Sequence, residues 1–435
     1  MKPGAEVPLF HAIGRIALVG LVLNAVIGSS VFGLPSVIAA RLGSASPWAW
    51  LATGVMMTLV VACFAEVASR FRQAGGPYLY ARVALGRGAG IQMAWLTYLV
   101  RVTAAATNAN LFVIYLAEFW PSVTGPVESR VVLGLVLIPL AVANYRGVGA
   151  GLNVSNAFTV AKLVPLGVFV LAGLGTLFAS GHAEPPVVSE GASAGGWLEV
   201  MLLLVFAYGG FEAALLPLGE AKNPRRDAPV ALFAALGICA LIYTLVQAVV
   251  VAVLQDPGAS PRPLAAAAQI TMGPAGALLM AVGALVSVYG YLAGAVLNVP
   301  RLTYALAEQG DLPRRFGALH PRFRTPHLSV VLFTALVWAF AAAGSFLGNL
   351  TLSAISRLAT YGAVCVALVV LRRQERVDPK RLEPAWFRVP GGVVVPLLGL
   401  AFTAVLALRI SQRELGVLAA TVAAGLLHQA WMRRR

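Results

Sequence analysis

Charge is what this 435-residue chain has least of: 11% of its residues are Asp, Glu, Lys or Arg, against 59% hydrophobic. With a mean hydropathy of +0.83, that composition argues against an ordinary soluble domain and places the chain in the membrane class. Cysteine is scarce as well. Cys63, Cys239 and Cys365 fall in apolar runs at unrelated spacings, a pattern that supports neither a disulfide framework nor a metal site. His11, His182, His320, His327 and His428 make no zinc-type pair with a glutamate. No Gly-x4-Gly-Lys-Ser/Thr loop for ATP occurs, and no activating motif around Ser29 suggests a hydrolase. A repeated selectivity filter and a ring of like charges, the marks of a channel, are missing too. The leading apolar run is too long for a cleavable signal peptide and lacks a small-residue cleavage site. The chain therefore reads as neither enzyme nor pump, with no cofactor.

What is present is a series of long uncharged runs. Twelve spans are expected, at about 16–40, 48–67, 88–116, 131–145, 153–178, 197–218, 229–254, 276–306, 327–347, 350–371, 391–408 and 415–432. Each is compared with the roughly 20 residues needed to cross a bilayer, and the fourth is marginal. The formal charge of +15 would suggest nucleic acid in a soluble protein. Here its distribution explains it, because most of the Lys and Arg fall on one side of the spans. Arg101, Lys162 and Arg357 lie within spans, and few basic residues fall on the other side. That positive-inside bias puts both termini in the cytoplasm, with the loop from Ser180 to Gly196 outside. The partner is a lipid bilayer, not nucleic acid.

Two of these spans are poor unbroken helices. The first carries Gly28-Ser29-Ser30 at its centre, with Gly33 and Pro35 close behind; the sixth carries Phe206-Ala-Tyr-Gly209-Gly210-Phe211-Glu212 before Pro217. Irregular backbone survives in lipid only where protein buries it or it lines a wet cavity. Broken spans in matching halves point to a transport site near the midplane. Breaks in spans one and six fit two inverted five-span repeats, about 13–178 and 197–371, with two further spans at about 391–432. All lie in one domain, 1–435.

The combination resembles the amino acid–polyamine–organocation transporters, which share the leucine-transporter fold. Ile27-Gly-Ser-Ser-Val-Phe32 and Phe206-Ala-Tyr-Gly-Gly-Phe-Glu212 are similar to that family's two breaks. Ala65-Glu66-Val67-Ala68 with Ala74-Gly-Gly-Pro-Tyr78, Asn144-Tyr-Arg-Gly147, Pro300-Arg301-Leu302, Thr325-Pro326 and Phe387-Arg-Val-Pro390 fall where the family has further signatures. One departure is Ser30, where the family has glycine. The resemblance implies a substrate α-carboxylate on the N–H groups of Ser29 and Ser30, beside Gly28. It also implies an α-ammonium on the carbonyls of Val26, Phe206 and Gly209. Phe206 would close over the substrate, and Gly209 and Gly210 would leave room for its side chain.

Four charges lie deep in the spans, and such groups are functional candidates by default. Glu212 either ties the two broken helices together or carries protons. Arg101 binds substrate, pairs internally or snorkels, and Arg357 needs a partner. Lys162 resembles the fifth-span lysine that replaces a sodium ion between spans one and eight in sodium-independent members. The sequence leaves its protonation state open. The resulting expectation is an all-α membrane protein that moves amino acids, mainly neutral L-amino acids, without sodium. It would work by alternating access, through exchange or proton coupling. A cationic amino-acid or polyamine carrier is the alternative within the same fold. No cysteine lies outside after span three, so no disulfide-linked heavy chain is expected.

Overall fold

The computed structural model describes residues 13–72, 75–147, 152–180, 193–216, 218, 221–378 and 383–433. Most of the loop expected from Ser180 to Gly196 lies outside these residues, as do Ala74, Pro217, Lys380, Arg381, Arg434 and Arg435. In chain order the helices are α1 (Arg15–Val26), α2 (Ser30–Leu42), α3 (Ser46–Ala68), α4 (Gly76–Leu85), α5 (Arg87–Leu116), α6 (Pro126–Tyr145), α7 (Leu152–Ser180), α8 (Ala194–Tyr208) and α9 (Phe211–Ala214). They are followed by α10 (Pro224–Val253), α11 (Pro263–Glu308), α12 (His327–Ala343), α13 (Phe346–Val377), α14 (Val394–Ala407) and α15 (Gln412–Arg433). Nine helical segments among the described residues are long and apolar enough to cross a membrane. Three shorter apolar helices, Arg15–Val26, His327–Ala343 and Val394–Ala407, accompany them.

Local sequence accounts for the departures from expectation. The fourth span is a full 20-residue helix because it starts earlier than expected, at Pro126. Proline suits the first turn, where its missing N–H is not needed, and Glu128 there complements the helix dipole. The basic stretch between spans two and three holds a helix that hydropathy missed. Gly75 and Gly76 turn the chain at φ 150° and 53°, Pro77 opens α4, and Gly86 at φ 95° stops it. Within α11, Gly273 has a φ of 69°, so the chain bends there and restarts at Pro274.

The helices sort by depth. The most apolar stretch of α5 is 78% buried inside the molecule and that of α15 only 6%, so α5 is a central post and α15 an outer one. Exposed Leu135, Leu171, Leu426 and Leu427 face outward, as a lipid-facing surface requires. One end of the bundle is laced by ions. Buried Glu66 pairs with Arg70 at 3.2 Å and Arg372 at 2.5 Å, joining α3 to α13. Arg15 reaches Asp227 at 2.8 Å. Buried Asp311 holds Arg82 at 2.5 Å and Arg87 at 2.8 Å, and accepts from the Tyr78 hydroxyl. Burial, then the Asp311 carboxylate, pushes that hydroxyl up to about 12, so it remains a donor at neutral pH. The opposite end has the Arg262–Glu118 pair at 2.7 Å.

Candidate functional site

A broken helix leaves its last carbonyls and first N–H groups without helical partners, and the first break shows where they go. Leu23 still accepts from the Ile27 N–H at 2.8 Å. Beyond it, the carbonyls of Asn24 and Ile27 accept from Lys162 Nζ at 3.0 and 2.9 Å. The Val26 carbonyl accepts a long bond, 3.4 Å, from the Tyr243 hydroxyl. On the other side of the break the Ser29 N–H donates to Asn108 Oδ1 at 3.0 Å, and Asn108 is held by its own bond to the Ala104 carbonyl at 2.8 Å. The Ser29 hydroxyl is fully buried and has no hydrogen-bond partner among the described residues. A Cβ on Gly28 would stand 3.1 Å from Asn108 Oδ1 and 3.5 Å from the Tyr291 ring, so glycine lets α5 and α11 close on the bend.

The second break is dressed differently. The Phe206 carbonyl accepts from Gly209 N–H at 3.2 Å and from Arg357 Nη1 at 3.0 Å. The same guanidinium lies 5.1 Å from the Phe206 ring centroid, within cation–π range. Glu212 folds back on the bend and accepts from the Gly210 N–H at 2.8 Å. It also takes Arg357 Nε at 3.2 Å and the Tyr361 hydroxyl at 3.3 Å, while Arg101 Nη2 stands 3.4 Å from the same carboxylate. Arg101, Glu212 and Arg357 are all buried.

The two breaks touch. Gly210 has a φ of 112°, a conformation open to glycine at little cost, and a Cβ there would come within 2.2 Å of the Ala25 carbonyl oxygen. Lower down, Lys222 N–H donates to the Ile13 carbonyl at 3.0 Å. Lys162 itself sits where α7 and α11 close together. Cβ atoms on Gly283 and Gly290 would meet Pro165 at 3.0 Å and Phe158 at 2.5 Å, so α7 and α11 pack closely about one turn to either side of Lys162.

A family model described as amino acid permease matches residues 13–418. The chain belongs to the amino acid permease family. Its relatives are transporters: an uncharacterized transporter of Mycobacterium tuberculosis is 30% identical over 427 residues, covering 96% of this chain and 90% of that one. The serine/threonine exchanger of Bacillus subtilis is 28% identical over 332 residues, 74% of this chain and 75% of its own. A methylthioribose transporter from the same organism is 28% identical over 408 residues, 90% and 86% respectively. The permease is thus a multi-pass membrane protein of a transporter family.

In this conformation several of the expected site residues are engaged by other parts of the permease. The room beside Gly209 is filled by Arg357, whose Nε would lie 2.6 Å from a Cβ there, and the room beside Gly210 by the Ala25 carbonyl. A Cβ at either glycine would therefore be crowded in this conformation. The Ser29 N–H and the Phe206 carbonyl, expected to receive substrate, already hold Asn108 and Arg357. In the first turn of α2, the Phe32 and Gly33 N–H groups donate to the Ser29 carbonyl at 3.2 and 3.0 Å, and no side chain caps the helix. Among the described residues, Glu212 pairs with arginines of α5 and α13. Arg357 gains its partner, and Arg101 pairs internally. Lys162 takes both of its oxygens from span one. Asn108 was missed, although an asparagine within an apolar span is itself a signal. Tyr361 gave none, since tyrosine is ordinary in such a chain.

Proposed function

We propose that this permease is a sodium-independent secondary carrier of amino acids. In this reading its substrate lies between the Gly28–Ser30 and Phe206–Gly210 breaks and crosses by alternating access. The observation that supports the reading is the Lys162 Nζ seated on the Asn24 and Ile27 carbonyls, where, in this proposal, it is held as an ammonium. A buried cation already occupies oxygens that a mobile ion would otherwise neutralise. A charge fixed to the chain cannot run down a gradient, so transport draws on substrate exchange or on protons. Within this proposal the chain has twelve spans in the leucine-transporter arrangement. Its inverted repeats are about 13–178 and 197–371, with helices at about 391–432 outside them, and both termini are cytoplasmic.

Substrates without a positive side chain fit best, the neutral L-amino acids among them. Glu212, the acid at the second break, is already engaged by Arg101 and Arg357, which weighs against the cationic and polyamine alternative. The test is counterflow into liposomes loaded with each of a panel of amino acids. Saturable, substrate-dependent exchange is expected; conductance without saturation would make the protein a channel and end the reading.

A further inference from the structure

The ionic cluster at the second break does not balance. Two guanidiniums, Arg101 and Arg357, share the one carboxylate of Glu212. Arg357 is served twice over, by Glu212 and by the Phe206 carbonyl. Arg101 is not. Its one ionic contact is the 3.4 Å approach to Glu212, and its Nε and Nη2 have no hydrogen-bond partner among the described residues, although the residue is only 3% exposed. A buried guanidinium with idle donors is costly unless an acceptor of opposite charge arrives. One turn earlier on the same face of α5, the Thr97 hydroxyl is also buried and without a partner among the described residues. Two turns later, Asn108 holds the N-terminal bend of α2. Seven residues of helix separate Arg101 from Asn108 by about 10 Å on one face. A short substrate side chain and the length of an arginine cover that gap between them.

We propose that Arg101 is a specificity residue for a second anionic group on the substrate, so that the permease prefers amino acids with a side-chain carboxylate. The α-carboxylate lies at the start of α2, and the side-chain carboxylate lies along α5 and takes the idle Arg101 donors, with the Thr97 hydroxyl beside them. The substrate thereby supplies the negative charge that Glu212 alone does not. This rests on the carrier reading above and narrows it to one side-chain class within the non-cationic substrates.

The experiment is competition in proteoliposome counterflow, using L-glutamate and L-aspartate against their neutral isosteres L-glutamine and L-asparagine, with L-leucine as a third class. In the wild type the acids are expected to compete at least tenfold better than the amides. In Arg101→Gln the acid-to-amide preference is expected to fall at least tenfold, and in Arg101→Lys to fall less. The wild-type measurement needs no variant and decides the substrate class by itself. If amides or leucine outcompete the acids, this inference is wrong and the carrier reading stands. If the acids win but Arg101→Gln keeps their preference, the anion is held elsewhere and the assignment to Arg101 is overturned. If no amino acid drives counterflow, the carrier reading fails with it.

Discussion

The two helix breaks solve one problem with opposite chemistry. At the first, the stranded carbonyls and N–H groups go to side chains of other helices: the lysine nitrogen of α7, a phenol from α10 and an amide from α5. At the second, the chain's own Glu212 caps Gly210, and arginines from α5 and α13 neutralise that acid. The first break is therefore built from single hydrogen bonds that can be exchanged one at a time. The second is an ion cluster, whose members depend on one another and resist rearrangement. On this account the first break is where backbone contacts form and dissolve during a cycle, and the second is the firmer wall, to which Arg101 adds its idle donors. Helix α5 serves both, with Asn108 at one and Arg101 at the other.

The sharpest way to break the comparison is Glu212→Gln. It leaves two buried guanidiniums with no acid, and breaking a buried pair in this way costs about 3–5 kcal/mol. We expect a large loss of detergent-solubilised stability, read as a fall in melting temperature, with uptake abolished. An unshifted melting temperature would show that the cluster is not the wall.

Next in size is Gly210→Ala, which forces a Cβ toward the Ala25 carbonyl at a φ of 112°. Strain and overlap together should cost about 2 kcal/mol or more, and yield and stability should drop although no charge changes. Asn108→Ala sharpens the other half of the comparison. It removes one acceptor from the Ser29 N–H, a loss of about 1–3 kcal/mol if that group stays buried and unpaired. The expected outcome is a raised KM with the fold retained, since the vacated N–H lies beside the proposed carboxylate site. Unchanged KM with reduced stability would make Asn108 a mere brace. Phe206→Ala should have a smaller effect on transport than its ring size suggests, because its carbonyl keeps Arg357 in place whatever the side chain.

Hydropathy alone was enough to mark where most helices run, because a lipid-exposed helix must be apolar over its full length. It could not find α4, which lies outside the apolar runs and is delimited by glycines and a proline. Nor could it set the start of α6, where Arg130 ended the uncharged run although the helix continues to Pro126. The positions of both breaks were legible, since Gly28-Ser29-Ser30 and Gly209-Gly210 are local signals. What fills the space beside them was not. Whether a glycine leaves room for a ligand or for a neighbouring arginine depends on a residue nearly 150 positions away. Lys162 stood out as a lone charge in a span, and its carbonyl partners fell on the broken first span. The pairing of Arg101 and Arg357 with a single glutamate could be read only once α5, α9 and α13 were brought together.

The central claim is that the Lys162 ammonium does the work of a bound cation at the first break. It is tested most directly by initial uptake rates into proteoliposomes in sodium and in choline media, each with and without an inward proton gradient, for the wild type and for Lys162→Ala. The account predicts equal wild-type rates in sodium and choline, and at least a tenfold loss in Lys162→Ala while the variant still folds and inserts. Strict sodium dependence of the wild type, or wild-type rates in Lys162→Ala, would contradict it.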